Sequence, residues 1–534
     1  MSVVLDLRGL TVRLPRGADR KNAVERIDLA VQAGEIVCVV GESGSGKSVT
    51  AFTVMGLQDR RALTPVAGQV MVGGEDLLTV GDRRLRKLRG EKMSMIFQEP
   101  MTALNPVAKV GEQIGEMLEI HTGLSASDRR AKVVAAMDDV GLPDPATMYD
   151  AYPHQLSGGQ RQRIMIAMAL VLEPDLLIAD EPTTALDVTT QAQILELIRD
   201  IPRRRGMGVL FITHDFGVVA DIADRVVVMQ HGRVVEQGPV AQVLGTPEHP
   251  YTRMLMGAVP SMTPPARAPA AGETALVVKR LDKVYGHRGF LGRGREVHAA
   301  KDVDFEIHRG ETLGIVGESG SGKSTVARCV MRLIDPSSGE VLIDGEDIAQ
   351  VREGAMRHHR RDIQIVFQDP YRSLNPRRTV GQSIVEGPTN FGLAPGEALA
   401  RAKELMRVVG LPPEALERFP HQFSGGQRQR ICIARALAME PRVLIADEAV
   451  SALDVSVQAQ VLELLDDVRD RFDLAMLFIT HDLRVAAQVC DRILVMRRGE
   501  VVERGATAAV YADPQHDYTR ALLAAAPGGG TLGT

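Results

Sequence analysis

The sequence predicts an α/β protein made of two tandem phosphate-loop domains, and three observations predict it. The octapeptide GESGSGKS occurs twice, at residues 41–48 and 317–324, each time directly after a short apolar run. The landmarks that follow the first copy, Gln98, Ser157 and His214, recur in the same order as Gln368, Ser424 and His481. Their offset of about 270 residues marks duplicated domains, since a solenoid repeats over far shorter periods. Within each half, apolar runs alternate with helical patterns and Gly/Pro punctuation, as in a largely parallel sheet flanked by helices.

In each half a strand, Ile36–Val40 or Thr312–Val316, runs into the glycine-rich turn and then a helix. Such a turn wraps bare backbone N–H groups around the phosphates of a nucleotide. Gly41, Ser43, Gly44, Gly46 and Val49 belong to the first loop and its helix start, and Gly317, Ser319, Gly320, Gly322 and Thr325 to the second. Lys47 and Lys323 are placed to hold the β/γ-phosphates of that nucleotide. Ser48 and Ser324 put a hydroxyl on Mg²⁺, which prefers a few hard oxygens plus phosphate.

Next come MSMIFQ and IQIVFQ, read as strands closing at Gln98 and Gln368, whose amides can reach Mg²⁺ or an attacking water. Residues 110–170 and 380–440 are rich in helix formers and read as a helical subdomain inserted into each core. Toward its end stands HQLSGGQRQRI (154–164) or HQFSGGQRQRI (421–431). Ser157 or Ser424 would cap a helix whose opening Gly-Gly leaves N–H groups bare, a second anion site. The insert should hold this site away from its own glycine loop. The economical arrangement is therefore head to tail, each loop closing on the SGGQ of the other half.

Further on, LLIADE and VLIADE place Asp180 and Asp447 at the ends of buried strands, followed at once by Glu181 and Glu448. Adjacent carboxylates there can divide labour, Asp in the metal shell and Glu polarising water for attack on the γ-phosphate.

Composition narrows the class. The 534 residues, 45% hydrophobic, suffice for two large domains with proper cores. Lys plus Arg total 63 against 68 Asp plus Glu, a net charge of -5, which gives no electrostatic reason to expect a nucleic-acid partner. The arginine-rich stretches 83–89 and 357–361 read as solvated faces. No apolar run approaches the roughly 18 residues needed to cross a bilayer. The start, MSVVLDLRGL, is charged too early for a secretory signal, so cytoplasmic residence is expected. Cys38, Cys329, Cys432 and Cys490 show no metal spacing and read as small buried hydrophobes.

The order of glycine loop, Gln strand, LSGGQ, ADE, ALD and His resembles the ATP-binding-cassette ATPases, in two copies that cover nearly the whole chain. The resemblance implies for each half a RecA-like core, a helical subdomain and a small antiparallel β subdomain. It implicates Ser157, Gly158, Gly159 and Gln160, with Ser424, Gly425, Gly426 and Gln427, in contacting γ-phosphate across a dimer interface. It matches Asp187 and Asp454 to the loop that couples the two sites, and His214 and His481 to the histidine that senses γ-phosphate. Both halves carry the catalytic glutamate and the histidine, so two hydrolytic sites are expected. One departure stands out: Tyr285 fills the position of the family's adenine-stacking aromatic, whereas the first half has Leu14 there.

The strings at 99–106 and 369–376, EPMTALNP and DPYRSLNP, resemble the coupling regions of the paired ATPases of dipeptide and oligopeptide permeases. HPYTRML at 249–255 and HDYTRAL at 516–522 resemble the C-terminal extension of the same group. The implied organisation is a first cassette with extension (1–257), a Pro/Ala-rich linker (258–274) and a second cassette with extension (275–534). The implied activity is ATP hydrolysis that drives import of dipeptides or oligopeptides. The implied partners are two membrane-spanning permease subunits and an extracytoplasmic peptide-binding protein, with the chain peripheral at the cytoplasmic face of the cell membrane. Nickel, glutathione or haem are the alternative cargoes. A soluble ribosome-acting ATPase is a further alternative, although its longer charged linker is missing here. The extensions contain no cysteine, so no iron–sulfur cluster is expected.

Overall fold

The computed structural model describes residues 2–59, 61–99, 103–183, 186–267, 272–286 and 296–528. Parts of three segments singled out above lie outside these: 100–102 of the coupling string, 185 of the first ALD and 268–271 of the linker. The chain divides into two compact units, the first spanning 1–259 and the second 260–526.

The first unit contains β1 (Val3–Arg13), β2 (Asn22–Gln32), β3 (Ile36–Val40), β4 (Thr64–Val72), β5 (Glu75–Asp76), β6 (Met93–Ile96), β7 (Leu176–Asp180), β8 (Gly208–Ile212), β9 (Arg225–Gln230) and β10 (Arg233–Pro239). They form two sheets. A four-stranded antiparallel sheet has the order β2-β1-β4-β5, and a six-stranded sheet has the order β10-β9-β3-β8-β7-β6. The larger sheet is parallel except for β10, which pairs antiparallel with β9. Every residue of β3, β7 and β8 is buried. Strands covered on both faces read as continuous apolar runs, which is why IVCVV and LLIAD are legible without alternation. Leu5, Leu7 and Val24 of the small sheet share one buried cluster with Val37, Ile178 and Leu210 of the large one.

The second unit repeats this plan with β11 (Thr274–Gly286), β12 (Glu296–His308), β13 (Thr312–Val316), β14 (Ser338–Ile343), β15 (Glu346–Asp347), β16 (Ile363–Val366), β17 (Val443–Asp447), β18 (Ala475–Ile479), β19 (Arg492–Arg497) and β20 (Glu500–Ala506). Its sheet orders, β12-β11-β14-β15 and β16-β17-β18-β13-β19-β20, match those of the first unit strand for strand.

Between β6 and β7 the chain makes the expected helical insert, with helices Val110–His121, Ala126–Asp139 and Gly158–Leu170. The second insert has Val380–Asn390, Pro395–Val408 and Gly425–Leu437. The four cysteines are all buried, and burial raises each thiol's pKa. No described helix is long and apolar enough to cross a membrane.

One detail differs from the sequence reading, and another adds to it. The Gln strands end early, at Ile96 and Val366, so Gln98 and Gln368 stand two residues beyond the sheet. Strands β6 and β16 are sheet edges with one neighbour each, and the chain leaves the ladder where that neighbour turns into its Asp-Glu pair. The linker is also tied down over part of its length. Arg267 pairs with Asp466 (3.1 Å) and donates to the Gln488 carbonyl (2.6 Å), while the Gln488 amide donates to the carbonyls of Ser261 (2.8 Å) and Thr263 (2.9 Å). Pro/Ala composition reports a segment's stiffness and is blind to such anchoring.

Candidate functional site

In a parallel sheet the carboxyl ends of all strands share one edge, and ligands collect in the crevice outside it. Residues 41–48 follow β3, Gln98 follows β6, Asp180 and Glu181 close β7, and His214 follows β8. Topology alone therefore gathers motifs that are far apart in sequence.

The loop takes its shape from glycines held where side chains do not fit. Gly41 has φ +145°, and a Cβ there would lie 2.2 Å from the Met229 carbonyl oxygen of β9. Gly46 has φ +106°, and its Cβ would lie 2.8 Å from the Ala23 oxygen of β2, so the loop is clamped between the two sheets. The second loop shows the same contacts, 2.3 Å from Met496 at Gly317 and 2.1 Å from Ala299 at Gly322. Ser43, Gly44, Ser319 and Gly320 are the exposed tips, and Val49 and Thr325 lie half-buried in the first helical turn.

Lys47 is buried, and its Nζ donates to the carbonyls of Gly41 (2.6 Å) and Glu42 (3.0 Å). Lys323 does the same with Gly317 (2.7 Å) and Glu318 (2.8 Å). The Ser48 hydroxyl donates to Asp180 Oδ1 (3.1 Å), and that of Ser324 to Asp447 Oδ1 (3.0 Å). Each pair brings two hard oxygens together, a donor set that suits Mg²⁺. Burial pushes the Asp180 carboxyl up to about 6, and raises that of Asp447. A buried carboxylate disfavours its own charge until a cation compensates it. The hydroxyls of Ser45 and Ser321, at one position in both loops, are buried without a hydrogen-bond partner among the described residues. Polar atoms are rarely left so, and their repetition fits a ligand in the loop. Motif spacing singles out Ser43 and Ser319 and misses these two, because only burial distinguishes them.

The second cluster centres on the glutamates. Glu181 and Glu448 have φ of +47° and +50°, in the left-handed region that side chains other than glycine seldom adopt. The Glu181 N–H is held by the Ile212 carbonyl of β8 (2.9 Å), and the Glu448 N–H by Ile479 of β18 (2.9 Å). The Gln98 amide donates to Glu181 Oε2 (2.9 Å), and His214 Nδ1 lies 3.2 Å from Oε1. In the second unit, the Gln368 amide donates to Glu448 Oε2 (2.9 Å), with His481 Nδ1 3.4 Å away. In this form the glutamines face the glutamate, while the Ser-Asp pairs bond to each other. Burial opposes charge on Glu448, but the hydrogen bond and charge of His481 outweigh it and hold the carboxyl below its usual range. The histidine is correspondingly raised: burial lowers it and the glutamate more than compensates. The arrangement can orient a water molecule and accept its proton.

Ser157 caps the helix Gly158–Leu170, its Oγ accepting the Gln160 N–H (3.2 Å) while Gln160 Oε1 accepts the Ser157 N–H (2.9 Å). Ser424 and Gln427 form the same reciprocal cap. With Ser and Gln tied to each other, the N–H groups of the two glycines remain without an intrahelical acceptor. The glycines differ from one another. Gly158 and Gly425 face open space, but a Cβ on Gly159 would lie 2.5 Å from Thr190, and one on Gly426 2.1 Å from Val457. The second glycine is thus required by packing against the next long helix. Asp187 caps that helix, accepting the Thr190 N–H (2.9 Å). Asp454 occupies the matching cap position without a side-chain cap bond.

Tyr285 lies near the end of β11, 44% exposed, with Lys283 Nζ 5.1 Å from its ring centroid. Leu14 follows β1 and is held by its N–H to the Lys21 carbonyl (3.0 Å). Stacking a base on an aromatic contributes roughly 1–3 kcal/mol. Leu14→Tyr is expected to tighten the first site's hold on a fluorescent ATP analogue about tenfold, measured with the second site disabled by Lys323→Ala. Equal affinities of the two sites in the unaltered chain would refute the asymmetry.

Residues 24–184 and 300–451 match the ABC transporter family model. Residues 235–287 and 502–530 match the model for the C-terminal region of oligopeptide/dipeptide transporters. The glutathione import ATP-binding protein GsiA of Escherichia coli (strain K12) is 47% identical over an alignment 557 positions long, which covers 98% of this chain and 89% of that protein. GsiA of Salmonella typhimurium gives the same figures. The solved dimeric post-hydrolysis cassette MJ0796, bound to ADP and Pi, aligns with 44% of this chain and 98% of its own at 28% identity and a TM-score of 0.40.

Proposed function

The chain belongs to the ABC transporter family, as two ATP-hydrolysing cassettes of the oligopeptide/dipeptide type in one polypeptide, and on that premise we propose that it powers uptake of glutathione or a closely related short peptide. The observation that carries the cargo is the 47% identity to a glutathione import subunit along 98% of the chain. It favours glutathione over the free dipeptides that the motif strings alone suggest. The match at both extensions to the oligopeptide/dipeptide type keeps dipeptides as the second reading.

On this reading the backbone N–H groups of the two loops, with Lys47 and Lys323, take the β/γ-phosphates of ATP. Mg²⁺, when bound, would be held by Ser48 with Asp180 and by Ser324 with Asp447, and would neutralise phosphate charge. Glu181 and Glu448 accept the proton of the attacking water. Gln98 and Gln368 orient each carboxylate from one side, and His214 and His481 from the other. The N–H groups of Gly158, Gly159, Gly425 and Gly426 serve as donors to γ-phosphate. Two membrane-spanning permease subunits would carry the solute, delivered by an extracytoplasmic binding protein, with this chain at the cytoplasmic face.

The test is ATP turnover by the chain reconstituted with its membrane subunits and the binding protein. Glutathione-loaded binding protein is expected to raise turnover several-fold, and dipeptide-loaded protein to raise it less. Stimulation by dipeptide alone would replace the cargo. Indifference to every membrane partner would overturn the importer reading.

A further inference from the structure

Each cassette ends in an extension, and in both units the extension reaches back to the phosphate loop. In the first, the carboxylate of Glu236 on β10 accepts the N–H groups of Glu248 (2.8 Å) and His249 (3.1 Å), fixing the turn into the helix Pro250–Gly257. His249 caps that helix, its Nδ1 accepting the Tyr251 N–H (3.2 Å). Tyr251 is buried, and its hydroxyl makes two bonds to one residue: it accepts the Glu42 N–H (3.2 Å) and donates to Glu42 Oε2 (3.1 Å). Glu42 is the second residue of the loop. Its carbonyl receives Lys47 Nζ (3.0 Å) and the Ser45 N–H (3.1 Å).

The second unit repeats the chain of contacts. Glu503 accepts the N–H groups of Gln515 (2.7 Å) and His516 (3.1 Å), and His516 Nδ1 accepts the Tyr518 N–H (3.0 Å). The Tyr518 hydroxyl accepts the Glu318 N–H (3.2 Å) and hydrogen-bonds the Glu318 carboxylate. The Glu318 carbonyl receives Lys323 Nζ (2.8 Å). Burial pushes the Tyr518 hydroxyl up to about 12, so it stays a donor at neutral pH.

We infer that Tyr251 and Tyr518 are positioning residues for ATP: each holds the glutamate whose carbonyl holds the loop lysine, so the loop is ordered before nucleotide arrives. A loop ordered only on binding charges that entropy to the ligand, whereas a preordered one does not. The single tyrosine hydroxyl accepts an amide proton and donates to a carboxylate at once, and phenylalanine does neither. The inference rests on residues 41–48 and 317–324 being the nucleotide loops. Nucleotide binding by the unaltered chain checks that assignment separately.

The experiment compares the full chain with its Tyr251→Phe, Tyr518→Phe double variant, which keeps both rings and their packing. The KM for ATP is expected to rise about five- to tenfold, the loss of one or two hydrogen bonds to a charged group, while kcat changes by less than about twofold and the urea midpoint stays put. Hydrogen exchange at the Glu42 and Glu318 amides should accelerate. Unchanged KM and unchanged exchange would overturn the inference, as would a rise in KM accompanied by a matching fall in the urea midpoint. Failure of the unaltered chain to bind nucleotide would sink the loop assignment instead.

Discussion

Replacing both Glu181 and Glu448 by glutamine lowers ATP turnover about a thousandfold, the range for loss of a positioned general base, and leaves nucleotide binding intact. Glutamine is nearly isosteric, so the bonds that fix the site should survive in outline: the backbone N–H to Ile212 or Ile479, and a polar contact with Gln98 or Gln368. The missing property is a carboxylate able to take a proton. The structure holds that carboxylate at some cost. Left-handed backbone at a residue other than glycine is disfavoured by about 1 kcal/mol or more, and both units adopt it at the same residue. Phosphate release and analogue binding, measured on one preparation, check the two halves of the expectation. Retention of a tenth of the turnover would assign the base elsewhere.

Gly41→Ala is expected to abolish nucleotide binding at the first site and spare the second, so that bound analogue falls from two per chain to one. Two penalties coincide at this residue. The backbone, at φ +145°, lies where an L side chain is strained, and the new methyl would meet the Met229 carbonyl at 2.2 Å. The obstacle is backbone of a central strand, which cannot swing aside as a side chain would. Relief must come from moving the loop, and with it the carbonyls of Gly41 and Glu42 that hold Lys47. A thousandfold loss of affinity corresponds to only about 4 kcal/mol, within reach of such a shift. Undiminished stoichiometry would show that the loop accommodates the methyl. Gly317→Ala should give the mirror-image result.

Much of this site is legible in the sequence because its parts are local. A glycine loop, a strand-end Asp-Glu and a Ser-x-x-Gln helix cap are each set by neighbouring residues, and β3 and β13 fall at the predicted bounds, Ile36–Val40 and Thr312–Val316. What stays hidden is set by partners distant in the chain. The Tyr251–Glu42 bond spans 209 residues and Tyr518–Glu318 spans 200. Nothing in HPYTRML reveals that its tyrosine faces a phosphate loop. Burial of Ser45 and Ser321 is equally invisible, since it depends on strands far along the chain that close over the loop. The early ends of β6 and β16 follow from their edge positions in the sheet, which strand propensity does not encode. The packing demand on Gly159 and Gly426 likewise comes from a helix about thirty residues downstream, so a signature glycine reads as a ligand contact when its Cβ space is occupied by protein.

We propose that each cassette contains a complete hydrolytic centre of its own. The distances support it directly: Gln to Glu is 2.9 Å in each unit, and His to Glu is 3.2 Å in one and 3.4 Å in the other. The most direct measurement is steady-state phosphate release by Glu181→Gln and Glu448→Gln as separate variants, in the chain reconstituted with its membrane subunits. Comparable, severe losses in both are the predicted result. Turnover at the unaltered rate in either one would make that cassette a nucleotide-binding partner that does no chemistry.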